Sequence, residues 1–190
     1  KVNLFVTDAL FSTITNANFD DESILSRVKK GFAIRNELLK QANAAGIEVP
    51  QVEEVIWTGE EKDYLEKAKS VGVLREQNED LRSLKELVLY GLKGMAAYHE
   101  HAIRLGFNDE GIHSFMQSAM AQMAAKTMTA SELVNLVMQT GKFGVDAMAL
   151  LDKANTTRYG NPEITKVNLG VGTNPGILIS GHDLRDIEQL

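Results

Sequence analysis

A short motif late in the sequence combines groups that can bind a metal or move a proton. The apolar run Ile177 to Ile179 leads directly into Ser180-Gly181-His182-Asp183-Leu184. If the apolar run is a buried strand, His182 lies at its carboxyl end, where open α/β sheets bind their ligands. A neutral imidazole there could ligate a metal or shuttle a proton, and Asp183 could orient the ring or cap the next helix. Spacing alone nevertheless favours a turn residue over a ligand at His182, because a position in a fold is only a hypothesis of function.

The other three histidines form a second group of possible metal ligands. His99 and His101 are two residues apart with Glu100 between them, and His113 follows. Residues two apart point to different faces of a helix, so His99 and His101 lack the i, i+4 spacing of helical metal ligands. The spacing therefore predicts a solvated or partly buried helix surface rather than a metal site.

Two other patterns could bind a ligand, but structural roles explain both of them better. Met116, Met120 and Met123 form a helical stripe, which could bind a partner but is more typical of core packing. The glycines between residues 170 and 176 fit neither the dinucleotide-binding nor the Walker pattern, since both require a helix directly after the glycines. We interpret these glycines as turn residues.

Helical periodicity dominates the sequence up to about residue 160. A polar break at residues 15–18 follows the first helix, and Thr129 to Glu132 matches a capping box. Short connections favour antiparallel neighbours, so we expect the helices to form two three-helix bundles. Apolar residues at three- and four-residue steps predict helices at residues 2–15, 21–45, 60–70, 78–106, 110–125 and 129–153.

The pattern changes after Tyr159-Gly160-Asn161-Pro162. Two short β-prone runs, residues 167–171 and 176–179, predict strands joined by a glycine- and proline-containing turn. Residues 182–190 then have the spacing of an amphipathic helix without a glycine or proline stop signal, which suggests a piece of a longer protein. We predict a mainly α protein, with a helical-bundle domain at residues 1–160 and the truncated start of an α/β, Rossmann-like domain at residues 161–190.

Composition excludes several classes of protein. The 190 residues are 44% hydrophobic and 24% charged, as in ordinary globular proteins, and no apolar run approaches a membrane span. The net charge of −6 and the scattered basic residues argue against nucleic-acid binding. The absence of cysteine excludes disulfides, thiol catalysis and cysteine-ligated metal within these residues, and it is consistent with a cytoplasmic location.

Three stretches resemble the hybrid-cluster proteins, which are the hydroxylamine reductase or prismane family. They are residues 9–20 (ALFSTITNANFD), residues 89–98 (LYGLKGMAAY) and the region from Tyr159-Gly160-Asn161-Pro162 through Leu184. The resemblance implies two three-helix bundles followed by two α/β domains, a cubane iron–sulfur cluster near the N-terminus and a hybrid iron–sulfur–oxygen cluster between the domains. It also implies reduction of hydroxylamine to ammonia and water, nitric oxide as another proposed substrate, and a redox protein as electron donor.

The resemblance changes the interpretation of His182. In this family the histidine of the Ser-Gly-His-Asp-Leu motif is a ligand of the hybrid cluster, and His182 occupies that position. The family's cubane cysteines would lie before Lys1, and its remaining ligands (glutamates, cysteines and a lysine) would lie after Leu190. One histidine without a thiolate cannot hold an iron–sulfur cluster, so we expect this chain alone to bind neither cluster and to be inactive.

Two alternatives remain open at this stage. The first is a free-standing helical protein-interaction module, with the predicted strands as a docking edge. The second is a small metalloprotein that uses His99, His101 and His113, against which the ligand spacing argues. Since two strands alone are only marginally stable, we expect residues 167–179 to pack on the helices, to pair with another chain or to be poorly ordered.

Overall fold

The computed structural model of the chain describes residues 1–14, 19–125, 128–179 and 184–189. This part of the chain forms eight α-helices and two short 3-10 helices, at Glu61–Asp63 and Gly72–Arg75, and contains no strand. The prediction of a mainly α protein is confirmed. The α-helices are α1 Val2–Ser12, α2 Asp21–Ala44, α3 Glu53–Ile56, α4 Tyr64–Ala68, α5 Glu79–Arg104, α6 Glu110–Ala125, α7 Ala130–Tyr159 and α8 Leu184–Gln189.

Side-chain caps begin the long helices α2 and α7, and the cap of α7 is the one predicted above. Asp20 accepts a hydrogen bond from the Ser23 backbone N–H at 3.1 Å at the start of α2. The capping box of α7 is present, because the Glu132 N–H donates to Thr129 Oγ1 at 3.3 Å and the Thr129 N–H donates to Glu132 Oε2 at 2.9 Å. The predicted break at residues 15–18 lies outside the described residues.

Helix α7 continues six residues beyond its predicted end at Lys153 and stops at Tyr159. The added segment is rich in Asn and Thr, which are weak helix formers. Ala154 is fully buried, and the Thr156 hydroxyl donates back to the Asp152 carbonyl at 2.8 Å. Packing therefore outweighs local propensity here, until Gly160 ends the helix with a φ of 84° that favours glycine.

The core lies between four helices. Helix α5 packs against α7, α1 and α6, and α6 also contacts α7. Phe115 of α6 stacks on Phe143 of α7 with ring centroids 4.2 Å apart. The methionine stripe of α6 belongs to this core, as predicted. The fully buried core side chains include Val88, Leu92 and Ala96 of α5, Met116 and Ala119 of α6, and Leu133 and Ala147 of α7.

Helix α2 lies beside this core with no buried residue of its own. It forms one wall of an open, mainly apolar groove of about 800 Å³. Phe32 of α2 contacts Trp57 and Tyr64 across the groove, with ring centroids 5.6 and 5.5 Å away. The grouping of the helices into two three-helix bundles remains a prediction. Among the described residues, no helix has the length and apolar character of a membrane span.

The predicted strands at residues 167–171 and 176–179 are wrong. Both runs are described, and neither forms a strand. The side chains of Leu169, Val171 and Leu178 are almost fully exposed, so of the three outcomes expected for this segment, packing on the helices is not observed. A strand is held by hydrogen bonds to a neighbouring strand, and residues 161–179 have no such neighbour within the described part of the chain. The domain boundary at residue 160 remains a prediction.

We predict opposite effects for two glycine substitutions in α5. A Cβ atom on Gly91 would lie 2.5 Å from Thr140 Cγ2, whereas nothing lies within 4 Å of a Cβ on Gly94. Thr140 is buried, and its hydroxyl donates to the Leu136 carbonyl at 2.8 Å, so its side chain resists rotation. Gly91→Ala should lower the free energy of unfolding by roughly 1–2 kcal/mol through overpacking, and Gly94→Ala should raise it by up to about 1 kcal/mol through helix propensity.

Urea denaturation followed by circular dichroism measures both effects. Thr140→Ser removes the clashing methyl group, so it should recover part of the stability lost in Gly91→Ala. Equal effects of the two alanine substitutions would contradict the close packing of α5 on α7.

Candidate functional site

His182 and the rest of the segment 180–183 lie outside the described residues. The role of His182 as a ligand therefore remains a prediction. The helix that follows this segment in the sequence, α8, is described, and its side chains contact the ends of α5 and α7.

Charged side chains hold α8 at this end of the bundle. Arg104, in the last turn of α5, lies 3.5 Å from Asp186 of α8. Arg158, in the last turn of α7, pairs with Glu188, and the Tyr159 hydroxyl donates to Glu188 Oε2 at 3.1 Å. The hydrogen bond from Arg158 lowers the pKa of the Glu188 carboxyl below its usual value, so this carboxylate stays ionised at neutral pH.

A second cluster of charged and titratable side chains lies on α5, about one turn before Arg104. Arg104 Nε donates to Glu100 Oε1 at 2.6 Å, and His101 Nδ1 lies 3.4 Å from Glu100 Oε2. Burial raises the pKa of Glu100, but the interactions with His101 and Arg104 outweigh it, and the pKa ends below its ordinary value. The His101 ring packs edge-on against Phe11 of α1, with centroids 5.3 Å apart. This group joins α1 and α5 near the docked α8.

His99 and His113 form a buried pair, which corrects the predicted helix surface. Both side chains are almost completely buried, and their ring centroids are 4.4 Å apart. The spacing of residues along a single helix could not predict this contact, because His99 belongs to α5 and His113 to α6. The sequence did contain a sign of burial, since His99 continues the apolar three- and four-residue steps of Leu92 and Met95.

Polar side chains contact both ring nitrogens of His113. The Asn108 amide nitrogen donates to Glu110 Oε1 at 2.9 Å, so its oxygen faces His113 Nε2 at 2.8 Å. The other ring nitrogen, Nδ1, lies 3.2 Å from the Thr7 hydroxyl oxygen, and this hydroxyl also donates to the Asn3 carbonyl at 3.2 Å. Asn3 also donates to Glu110 Oε2 at 2.7 Å. The resulting network fastens α1 to the start of α6.

His99 joins the end of α5 to the start of α6. Its Nε2 accepts a hydrogen bond from the Asp109 backbone N–H at 3.2 Å. Asp109 in turn caps α6, because its Oδ1 accepts from the N–H groups of Gly111 at 2.7 Å and Ile112 at 3.1 Å. Burial, followed by the neighbouring His113, lowers the pKa of His99 to about 4, so the ring is neutral at neutral pH. The pair is a structural element of the turn between α5 and α6.

The donor chemistry of the chain does not fit an iron–sulfur cluster. The sequence has no cysteine, and the described residues contain no group of three or more His, Asp and Glu side chains that could hold a metal ion. Three of the four ring nitrogens of His99 and His113 already make protein hydrogen bonds. The proposal of a small metalloprotein built on these histidines therefore gains no support.

Comparison with known proteins gives a consistent match over the whole chain. The sequence profile of the Prismane/CO dehydrogenase family matches residues 1–190. Over the full chain, the sequence is 56% identical to hydroxylamine reductases of Porphyromonas gingivalis and Bacteroides thetaiotaomicron, and 53% identical to that of Desulfitobacterium hafniense. The chain spans about a third of the length of these curated relatives, 34% of the first two and 35% of the third. The resemblance seen in the sequence is confirmed.

We predict that His99 makes the fold sensitive to acid. The pKa of His99 is about 4 in the folded chain, against 6.5 for a histidine in water, as in the unfolded chain. Between these values the unfolded chain binds a proton that the folded chain does not, so stability is highest above pH 6.5 and falls as the pH drops toward 4. The loss from this residue should reach roughly 3 kcal/mol.

His99→Gln is the matched control. The glutamine amide oxygen can still accept the hydrogen bond from the Asp109 N–H, and the glutamine side chain does not titrate. Urea denaturation at several pH values should give a stability curve that is flatter for the variant than for the wild type between pH 6.5 and 4. Parallel curves for the two proteins would contradict the buried neutral state of His99.

Proposed function

Since the family profile matches it from end to end, this chain belongs to the Prismane/CO dehydrogenase family, and on that premise we propose that it is part of a hydroxylamine reductase. The observation that carries the proposal is the 56% identity over all 190 residues to curated hydroxylamine reductases. Because the chain spans about a third of these relatives, the activity is proposed for the longer parent protein.

The parent would reduce hydroxylamine to ammonia and water. This reaction cleaves the nitrogen–oxygen bond and consumes two electrons and two protons, so it requires an electron donor, for which we propose a redox protein. Nitric oxide is a second candidate substrate, and we propose a cytoplasmic location. The proposal of hydroxylamine reduction rests on the relatives and not on a pocket of this chain.

The parent would carry a cubane iron–sulfur cluster and a hybrid iron–sulfur–oxygen cluster. We propose His182 as an iron ligand of the hybrid cluster, which the resemblance of Ser180-Gly181-His182-Asp183-Leu184 to the family motif supports. The other ligands would come from outside these residues, because this chain has no cysteine. We therefore propose that the chain alone binds neither cluster and has no reductase activity.

A free-standing helical interaction module is the alternative. Such a module would not need to resemble an enzyme along its whole length. The identity to hydroxylamine reductases extends over the full chain, through the helices and through the exposed segment at residues 161–179. The comparisons therefore favour the enzyme proposal.

The first experiment measures iron and acid-labile sulfide per chain. The 190-residue chain and the protein of the complete reading frame are purified without oxygen, and hydroxylamine reduction is assayed for both. We expect iron, sulfide and activity in the longer protein and none of them in the chain alone. A longer protein without iron and without activity would refute the proposed function and favour the interaction module.

His182→Ala in the longer protein tests the proposed ligand. We expect loss of hybrid-cluster iron, with the cubane iron retained, and a fall in activity of about 100-fold or more, since even partners beyond the direct ligands cost up to about 100-fold. Gln189→Ala, at an exposed position of α8, is the control and should retain both iron and activity. Full iron content in His182→Ala would show that this histidine is not a ligand.

A further inference from the structure

Helix α5 has an exposed side that faces away from α6. Gly91 of α5 lies against Thr140 of α7, so these residues mark the contact between the two helices. Successive residues of an α-helix are turned by about 100°, which places Tyr90 and Leu92 on opposite sides of Gly91. Leu92 is fully buried, and His99, two turns further along the same side, contacts α6. Tyr90 is 62% exposed, so its side of α5 is turned away from α6.

Helix α7 turns an exposed side in the same direction. Phe143, which stacks on Phe115 of α6, and Gly141 lie on opposite sides of Thr140. Gly141 is exposed and therefore lies on the side of α7 that faces away from α6. The two exposed sides meet along the α5–α7 contact and form one surface, which we call the α5–α7 face.

Exposed apolar side chains cover the α5–α7 face. On α7 they recur at steps of four and three residues, with Gly141 at the central step, which is the pattern of a helix side that packs against a partner. Each of them is between 43% and 69% exposed. They are Leu87, Tyr90 and Tyr98 on α5, and Val134, Met138, Val145 and Met148 on α7.

Three glycines lower the middle of the face. They are Gly94 of α5 and Gly141 and Gly144 of α7. Apart from the helix backbones and the adjacent residues, no atom of the described chain lies within 4 Å of a Cβ placed on any of them. Another surface can therefore approach the backbones of both helices closely here.

The charge of the face suits a second copy of the same surface. None of the seven apolar side chains or three glycines is charged, in a chain that is 24% charged. The Lys93 ammonium lies at the edge, 5.2 Å from the centre of the Tyr90 ring. In a two-fold dimer the same patch is used by both subunits, so a charged patch would bring like charges together. An uncharged patch avoids this repulsion and offers no attraction to a charged partner.

The size of the face also suits a dimer. The exposed fractions of the seven apolar side chains correspond to an area on the order of 800 Å², which is about what each partner contributes to a stable interface. The fully buried centre of a homodimer interface is also more apolar than an ordinary protein surface. A second copy could therefore cover this face without help from other segments.

We propose that the α5–α7 face is the contact between two copies of this chain, in which α5 and α7 of one copy pack across α5 and α7 of the other about a two-fold axis. The proposed parent protein would pair through the same face. The pairing does not rest on the proposed reductase function, because it uses only the described residues of α5 and α7.

Analytical ultracentrifugation tests the pairing. The 190-residue chain and the protein of the complete reading frame are sedimented at about 100 μM, above the micromolar dissociation constants of weak interfaces of this size. We expect twice the mass of one chain in both samples, and dissociation on dilution.

Three glutamate variants locate the contact. Tyr90→Glu on α5 and Val145→Glu on α7 place charges on the face, and each should raise the dissociation constant of the dimer by about tenfold or more, because like charges then meet in a buried interface. Gln139→Glu introduces the same charge at an exposed position on another side of α7 and should leave the dissociation constant unchanged. All three positions are exposed, and circular dichroism should show the same helix content as the unmodified chain.

Three outcomes would overturn the pairing. Monomers at 100 μM in both samples would show that the face does not bind a second copy. A dimer that Tyr90→Glu and Val145→Glu leave intact would show that the copies meet through another surface. A dimer of the 190-residue chain beside a monomeric longer protein would show that further segments of the parent cover the face. None of these outcomes depends on iron content or reductase activity.

Discussion

The buried face of α5 is the constraint on which the rest of the described fold depends. This helix contacts α1, α6 and α7, and Val88, Leu92 and Met95 lie almost completely buried along it. The same face continues to His99. The Nε2 atom of its buried ring accepts a hydrogen bond from the backbone N–H of Asp109, the residue that precedes α6. A single helix face thus organises the core and also fixes where the chain turns back. Neutrality limits the cost of burying this imidazole, but its Nδ1 has no hydrogen-bond partner among the described residues, so the burial still costs free energy.

The direction of α5 has a second consequence at its C-terminal end. The last turns of α5 and α7 both reach α8, so their C-terminal ends lie at the same side of the bundle, where Arg104 is paired with Glu100 and Arg158 with Glu188. Asp186 of α8 also contacts Arg104. These ion pairs mark the side of the bundle where α8 attaches.

Local information in the sequence predicted the long helices, but neither the short helix α3 nor the contacts between helices. Caps such as Asp20 and Thr129 act within four residues, so their patterns are readable directly. The His99–His113 pair was missed because it joins two helices, and the end of α7 was misplaced because burial of Ala154 outweighed propensity. The strand predictions failed for the same reason, since β-prone residues need a partner strand. For His182, spacing favoured a turn residue and only the family motif favoured a ligand.

Two apolar surfaces other than the α5–α7 face remain uncovered in the described part of the chain. One is the groove between α2 and the aromatic side chains of Trp57 and Tyr64, and the other is the exposed segment at residues 161–179. Large exposed apolar surfaces on soluble proteins usually mark contacts with other protein surfaces. The curated relatives are about three times as long as this chain, which matches 34% of their length. In a proposed parent as long as these relatives, we expect the further segments to cover these surfaces, because burying them would add the hydrophobic stabilisation that α2 lacks here.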